Sequence, residues 1–491
     1  MGWIFAYRFR RSTVILFLCL SFLVGVGIAH TGQLLSWVWC GLFLLLLLPV
    51  LRRQSIVAIV LVVLFGICVG WWRGSLYMQK LAAYDQVLDS KVTITARAME
   101  DATYGKTKQL SFAANDIVLD NGERLSGKVQ LSGFGANAVF DGDVVVATGK
   151  LRQGFSAYQG RMSFAQITVV EHRPSIVAEV RRRFAAGMRT ALPEPLASFS
   201  MGILVGQRAT LSEEIKEDFL MVGLTHIIAV SGYNLTIILH ASKKLLGKQS
   251  KRMSTMLSVG LIFVFLVLAG ASASIVRAAI VSMLSIVTGY YGRNFRPLAL
   301  ISFAAAITVW ANPFYLWSDL SWYLSFLAFY GVMVLSPLVQ KRWPARWHQT
   351  LIGGVALESL CAEAMSLPFV LYMFGQMSFV GLPANMLVVV LIPLAMLLGL
   401  IAGLAGMFLG AISGWFAWPA VILLNYMLDV AHIMAHLPHI FVENKSMPLP
   451  VTLSLYLLII LFCTSLWRKT KDQRPDIITD IDEPKLRGFS A

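Results

Sequence analysis

Polar residues interrupt an apolar stretch of the chain between positions 226 and 234. His226, Ser231, Gly232 and Asn234 lie there among isoleucine, alanine and valine. Polar side chains and a glycine in such a setting are typical of a membrane helix that breaks where it lines a cavity. Ser231 and His226 could form a nucleophile and its base, but five positions apart on one helix they do not face each other. We therefore expect these residues to line a polar path rather than to catalyse a reaction.

Arg277 stands among the small residues of positions 270–279. Small residues let helices approach closely, so we expect this guanidinium to be buried and to need an acceptor. The acceptor is a phosphate if the residue lines a conduit, or Asp319, Glu358 or Glu363 if its role is structural, and both alternatives stay open. For the two glutamates, proton transfer is the alternative to pairing with Arg277. Pairing is favoured because no protonation step is otherwise implied.

Helix-breaking residues are dense between positions 358 and 393. Pro368, Gly375, Gly381 and Pro393 interrupt an otherwise apolar sequence. This density predicts discontinuous helices that line an internal cavity.

A stripe of metal-ligand residue types follows further along the chain. Asp429, His432, His436 and His439 have the spacing of one helix face. The stripe could hold a metal, but no glutamate of the His-Glu-x-x-His kind accompanies it, and Pro438 predicts that the helix ends there. We therefore predict no metal site and no cofactor. The sequence also lacks a Gly-x-x-x-x-Gly-Lys-Ser/Thr motif, so any ATP hydrolysis would belong to a partner.

The composition indicates the elements that must position these groups. Of 491 residues, 57% are hydrophobic and 14% are charged, and the mean hydropathy is +0.70. These values exclude an ordinary soluble domain and predict a polytopic α-helical membrane protein. Apolar stretches suited to a hydrocarbon layer of about 30 Å suggest roughly ten transmembrane or re-entrant helices. The stretches are 13–30, 34–51, 55–72, 255–272, 274–291, 298–311, 317–339, 351–374, 378–409, 410–436 and 449–467.

Lysine and arginine in short loops predict the orientation. Basic clusters at the amino terminus, in three loops and after residue 467 place both termini in the cytoplasm. The first apolar segment has no evident small-residue cleavage site and is expected to be retained.

The expected organisation is three amino-terminal helices in 1–74, an extracytoplasmic β domain in 75–172, an interfacial amphipathic helix in 173–195, a transmembrane domain in 196–467 and a cytoplasmic polar tail in 468–491.

The region 75–172 differs in character from the rest of the chain. Residues 91–97 alternate in type, and Asn121-Gly122 and Asp141-Gly142 are hairpin signals. About five short strands with glycine-rich turns suggest a small closed barrel of the OB type. OB folds often bind single-stranded nucleic acid through a basic groove. Between 80 and 172, however, ten Lys and Arg balance ten Asp and Glu, so a structural cap over the membrane part is the alternative.

Residues 176–192 have the spacing of an amphipathic helix at a membrane interface. Its arginines, Arg181, Arg182, Arg183 and Arg189, would form a basic collar between the β domain and the membrane. The collar would either receive a polyanion or bind anionic lipid headgroups.

Four blocks of the sequence together resemble the ComEC family, the membrane channel of bacterial natural competence. Their order and spacing agree with the family over residues 190–410, and the region 75–172 stands where the family has an OB-like external domain. The blocks are Asp218-Phe219 with Leu224 to Gly232, Ser274 to Ala279, Asn312-Pro313 with Asp319 to Leu327, and Leu367-Pro368 with Phe374 to Ser378 and Pro383 to Asn385.

The resemblance implies a nonenzymatic channel that imports single-stranded DNA across the cytoplasmic membrane during natural transformation. It implies contact with membrane lipids, a separate nuclease and DNA-receptor or pilus proteins outside, and an ATP-dependent helicase or DNA-binding partner in the cytoplasm. The collar arginines would stand at the mouth of the DNA path. The residues expected to line the path are His226, Ser231, Gly232, Asn234, Arg277, Asp319, Ser321, Glu358, Glu363, Gln376 and Asn385.

Two departures from the family pattern affect these expectations. Asn234 stands where the family usually has a histidine, which weakens a role for this side chain as a proton carrier or metal ligand. No His-x-His-x-Asp-His cluster follows the last apolar stretch, so we expect a form without the metallo-β-lactamase-like nuclease domain. The alternative function is a small-solute transporter or a membrane enzyme that uses buried His, Glu and Arg groups, although we find no internal repeat that would support a transporter.

Overall fold

Helices make up most of the protein in the computed structural model, and a seven-stranded sheet is inserted after the third helix. The structure describes residues 11–32, 35–51, 56–104, 109–136, 138–173, 176–207, 211–228, 250–269, 273–292, 297–342, 351–443 and 446–471. Ser231, Gly232 and Asn234, which are predicted to line the path, lie outside these residues.

The helices before the sheet are α1 (Arg11–Ala29), α2 (Trp37–Leu51) and α3 (Ile56–Asp85). Those after it begin with α4 (Ile176–Ala191), α5 (Leu196–Val205), α6 (Glu213–Val222), α7 (Thr225–Ile228), α8 (Lys251–Ala269), α9 (Ala273–Tyr290), α10 (Pro297–Ala311) and α11 (Phe314–Ser318). The remaining helices are α12 (Leu320–Tyr330), α13 (Ser336–Gln340), α14 (Leu351–Phe374), α15 (Gly381–Val388), α16 (Ile392–Phe408), α17 (Ser413–Ala435) and α18 (Leu449–Lys471). A π-helical turn, Gly331–Leu335, joins α12 to α13.

Seven helical segments in the described part of the chain are long and apolar enough to cross a membrane. Helices α2, α8, α9 and α10 occupy the other apolar stretches that the sequence predicts. The predicted multi-helix architecture with a separate sheet domain is thereby confirmed. The seven segments are 12–29, 56–85, 320–340, 353–374, 381–408, 410–435 and 449–468.

Helix α3 packs closely along α1 because glycine recurs at every fourth position of its contact face. A methyl group added at Gly70 would overlap the carbonyl oxygen of Phe22, and Gly66 and Gly74 make similar contacts with α1. Small residues commonly allow this approach between membrane helices. Helix α3 continues to Asp85, beyond the predicted boundary at 74.

The sheet contains strands that pair along a closed path. Strand β1 pairs antiparallel with both β3 and β6. Strands β3 and β5 and strands β6 and β7 are also antiparallel, whereas β5 and β7 are parallel. The order β1-β3-β5-β7-β6 therefore returns to β1, and the short strands β2 and β4 pair with β3. The strands are β1 (Lys91–Ala98), β2 (Thr103–Tyr104), β3 (Leu110–Leu119), β4 (Arg124–Leu125), β5 (Val129–Phe134), β6 (Val144–Gln153) and β7 (Gly160–Glu171).

Alternating side chains of these strands fill a core of their own. Ile94, Phe112, Leu131 and Ile167 are at most 2% exposed. Tyr84, near the end of α3, packs into the same core. The β domain is therefore anchored directly on a membrane helix.

Helix α4 is amphipathic as predicted, and its apolar face packs on a membrane helix. Met188 is fully buried, and Phe184 lies against Gly403 of α16. At Gly406 of α16 the backbones come so close that an added methyl group would overlap the carbonyl oxygen of Gly187. The protein itself thus covers much of the face that the sequence assigns to the membrane interface.

A shared apolar core joins these helices to α5, α6, α15 and α17. Phe199 of α5 and Phe219 of α6 lie edge to face within it, with ring centroids 5.3 Å apart. A short two-stranded ladder, β8 (Met377–Ser378) with β9 (Phe441–Val442), ties the start of α15 to the segment after α17. This core holds the second and fourth sequence blocks near the first one.

We expect Gly406→Ala to lower the free energy of unfolding by about 1–3 kcal/mol, because the added methyl group forces α4 away from α16. Thermal unfolding of the purified protein in detergent micelles measures the effect. Gly260→Ala is the matched control, since a methyl group there meets no neighbouring helix in the described part of the chain. Equal midpoints for the two variants would contradict the close contact.

Candidate functional site

Arg277 on α9 is almost completely buried, with 1% of its surface exposed. Its Nη2 donates hydrogen bonds to the carbonyl oxygen and to Oγ of Ser321, at 2.8 and 3.1 Å. Nε and Nη1 have no hydrogen-bond partner among the described residues. Because a guanidinium carries five N–H donors, Arg277 keeps donors for a further partner.

Asp319 is also buried, with 1% exposed, and it caps α12. Its Oδ1 accepts hydrogen bonds from the backbone N–H groups of Ser321 and Trp322, at 2.9 and 3.3 Å. Oδ2 of Asp319 lacks a hydrogen-bond partner within the described ranges. The predicted residues Arg277, Asp319 and Ser321 thus meet at the amino-terminal end of α12, and the first two keep unused hydrogen-bonding atoms.

The loop between β6 and β7 lies over this end of α12. Ser156 Oγ accepts a hydrogen bond from the backbone N–H of Leu320 at 3.3 Å. Gln159, in the same loop, donates to the hydroxyl of Tyr77 on α3 at 3.3 Å. Arg277 and Asp319 therefore lie close to the junction between the β domain and the membrane helices.

A second polar group forms where α6, α14 and α15 meet. A methyl group added at Gly381 would lie 3.2 Å from Oε1 of Glu363 and 3.6 Å from the carbonyl oxygen of Val222. One added at Gly223, which has a φ of +80°, would lie 3.3 Å from Cβ of Ser378. Glycine is required at Gly223 because α6 ends there in the left-handed conformation. The first and fourth sequence blocks are therefore in contact.

Hydrogen-bonding atoms are left over in this second group as well. Glu363 Oε2, Ser378 Oγ and Asn385 Oδ1 are buried without a partner in the part of the chain that the structure describes. His226 is adjacent, since its Nδ1 donates to the carbonyl oxygen of Gly223 at 3.2 Å. Three of the predicted lining residues, His226, Glu363 and Asn385, thus belong to one region.

The ion pair that the sequence favours between Arg277 and Glu358 or Glu363 is not found among the described residues. The physical reason is that Ser321 of α12, not α14, faces the guanidinium. Glu358 is half-buried on α14, and Gln376 is half-buried just before β8.

The collar arginines have acidic partners within the protein. The ion pairs are Arg181 with Asp141 at 3.7 Å, Arg182 and Arg183 with Glu179 at 3.3 and 2.8 Å, and Arg189 with Glu194 at 3.6 Å. The hydrogen bond from Arg183 holds the pKa of Glu179 below its usual range, which keeps this carboxylate charged. Much of the positive charge of the collar is therefore balanced locally.

Sequence reasoning missed Ser378 and Ser156 as members of these polar groups. Ser378 lies inside the fourth sequence block, which could have pointed to it. Ser156 carried no such signal, because its contact with Leu320 joins positions 164 residues apart in the chain.

Comparisons with known proteins agree with the motif positions. The family described as Competence protein matches residues 203–469. ComE operon protein 3 of Bacillus subtilis (strain 168) is 26% identical over 247 residues, which are 49% of this chain and 31% of that relative. The match thus spans about a third of the length of the curated relative. No solved structure matches.

The matched region runs from α6 into α18 and contains Arg277 and Asp319 of the first polar group and Glu363, Ser378 and Asn385 of the second. It confirms the resemblance that the four sequence blocks indicate. Because the family match covers more than half of the chain, the protein belongs to the Competence protein family, the family of ComEC.

Proposed function

We propose that the protein is a channel that imports single-stranded DNA across the cytoplasmic membrane during natural transformation. The observation that carries the proposal is the set of buried hydrogen-bonding atoms without protein partners, within the described ranges, at Arg277, Asp319, Glu363, Ser378 and Asn385. Unpaired polar groups amid apolar helices are costly unless they line a polar cavity. Membership of the Competence family supports DNA as the cargo.

Arg277 supplies the contact to the DNA backbone in this proposal. A planar guanidinium with free N–H donors suits the oxygens of a phosphate group. Its bonds to Ser321 hold the side chain in place before DNA arrives. Asp319 limits the attraction, because a strand that binds too tightly cannot move on.

The β domain receives the strand from outside. Its closed pairing order, with β5 and β7 parallel, is the order of a five-stranded OB barrel, and we propose that it is one. Phe155 and Phe164 are 64% and 75% exposed, and Phe164 shares a groove with Lys91 and with Lys150, which pairs with Asp89 at 3.4 Å. Exposed aromatic rings and lysines are the means by which OB folds hold single strands.

Basic and acidic residues balance in the β domain, and the collar arginines have acidic partners. Both regions therefore suit weak, transient contacts with DNA rather than tight binding. With both termini in the cytoplasm, DNA passes the β domain, then Arg277 and Asp319, and then the group around Glu363. A separate nuclease and DNA-receptor or pilus proteins act outside. A cytoplasmic ATP-dependent helicase or DNA-binding partner pulls the strand inward, and the channel itself needs no cofactor.

Arg277→Gln is expected to lower uptake of labelled DNA about 10- to 100-fold, the loss that corresponds to one charge-assisted hydrogen-bonded contact. Arg277→Lys keeps the charge without the planar fork, so its uptake should be intermediate. Cells that carry each variant in place of the wild-type gene are compared at equal protein level. Arg342→Gln, an exposed arginine outside the two polar groups, is the matched control. Wild-type uptake by Arg277→Gln would refute the proposed role.

Gly381→Leu should block the path beside Glu363, because even a methyl group there lies 3.2 Å from Oε1 of that residue. We expect DNA to remain bound to the cells while its transfer into the cytoplasm falls at least about tenfold, the effect of an added barrier near 1.4 kcal/mol. Gly414→Leu is the control, since a methyl group added at this exposed position has no neighbour within 4 Å among the residues described. The measurements are nuclease-protected label and the amount of folded protein. Normal transfer through a folded Gly381→Leu protein would place the path elsewhere.

A further inference from the structure

Asp218, His432 and His436 form a cluster that the DNA path does not use. Asp218 lies on α6 and His432 on α17, and His436 follows the end of α17. One carboxylate oxygen of Asp218 and one ring nitrogen of each histidine lie within 4.8 Å of one another. The two imidazole rings have centroids 4.3 Å apart.

Hydrogen bonds fix the tautomers of both histidines. His432 Nδ1 is 2.8 Å from Oδ2 of Asp218, and His436 Nδ1 is 2.9 Å from the backbone carbonyl oxygen of His432. A carboxylate and a carbonyl can only accept, so each Nδ1 carries the proton. With Nδ1 protonated, the neutral form of each imidazole has its lone pair at Nε2, and the two residues are one helical turn apart.

This arrangement is the one that metal-binding histidines use. Such a histidine donates its other ring N–H to a carboxylate or a backbone carbonyl, which orients the ring and makes the free nitrogen more basic. His432 has the first kind of partner and His436 the second. The structure thus contains the supporting interactions beside two ring nitrogens that are not used in them.

We propose that His432 and His436 bind a divalent transition-metal ion such as Zn²⁺ through their Nε2 atoms, and that Asp218 positions His432. Imidazole nitrogen is a preferred ligand of zinc, at about 2.0–2.1 Å. The exposed position of both histidine side chains leaves the remaining coordination positions open to water or to a partner.

The charges around the cluster favour a cation. Asp218 is buried, with 6% exposed, and Glu214 and Asp429 are close enough to His432 to act on it electrostatically. No lysine or arginine forms an ion pair with these acids among the described residues. The cluster therefore differs from the helix stripe that the sequence predicts. Asp218 of α6 belongs to it, whereas His439 lies beyond the end of α17.

The bond between Asp218 and His432 joins α6 to α17 just before the Gly223–His226 turn, so the ion would lie beside this junction. Asp218 is the neighbour of Phe219, which packs fully buried in the shared core. Metal binding here is a property additional to DNA transport, so it can be tested without DNA.

The test uses full-length protein purified in detergent with a histidine-free affinity tag and stripped of metal with a chelator. Zn²⁺ affinity is measured by competition with a chromophoric chelator, and Co²⁺ is used as a spectroscopic probe. We expect one site per chain, and a loss of affinity of about 10- to 100-fold in Asp218→Asn, as is usual for a residue that orients a ligand. His436→Ala, a change at an exposed position, should abolish the site and the Co²⁺ absorption bands.

His172→Ala is the matched control. His172 pairs with Asp143 at 2.9 Å in the same way as His432 with Asp218, but no second histidine joins it among the described residues. The affinity of the His172→Ala protein for Zn²⁺ should equal that of the wild type. Thermal unfolding without metal verifies that each variant is folded. Zn²⁺ binding that is absent from the wild type, or that persists unchanged in folded His436→Ala, would overturn the proposal.

Discussion

A polar group inside a lipid bilayer must be hydrogen-bonded within the protein or kept in contact with water, because hydrocarbon offers it no partner. Helical hydrogen bonds provide partners for most backbone groups of the seven candidate spans in the described chain. Apolar side chains such as Phe408, Trp415 and Phe462 cover outer faces of these helices. Against this background, Arg277 and Glu363 stand out as ionisable side chains with buried atoms that lack a hydrogen-bond partner among the described residues.

Close backbone contacts hold the polar groups in position. Glycines on α3 let it lie directly on α1, and α3 in turn carries the β domain, whose β6–β7 loop contacts the start of α12. Gly187 and Gly406 bring α4 onto α16 in the same way. Arg277 bonds Ser321 at the start of α12 and therefore lies close to this loop of the β domain. The collar arginines form ion pairs with nearby acidic residues. Arg277 and Asp319, by contrast, keep atoms without a hydrogen-bond partner among the described residues.

Much of the fold could be predicted because its signals are local. Stretches of apolar residues determine membrane helices, and alternating residues with glycine turns determine the strands near Lys91 and Phe112. Helix ends were harder, as α3 shows: the predicted boundary at 74 falls inside a helix that continues to Asp85. The apolar face of α4 likewise indicates burial without saying whether lipid or α16 provides it.

The chemistry of the candidate site divides in the same way. Residue types and motif order were sufficient to single out Arg277, Asp319, Glu363 and the family to which the chain belongs. They could not say that Arg277 bonds Ser321 instead of a glutamate, or that Asp218 meets His432, 214 positions away. A sequence motif shows which residue types are present and how far apart they stand along the chain. Which groups touch depends on how distant helices pack, and that depends on many small contacts that no short segment contains.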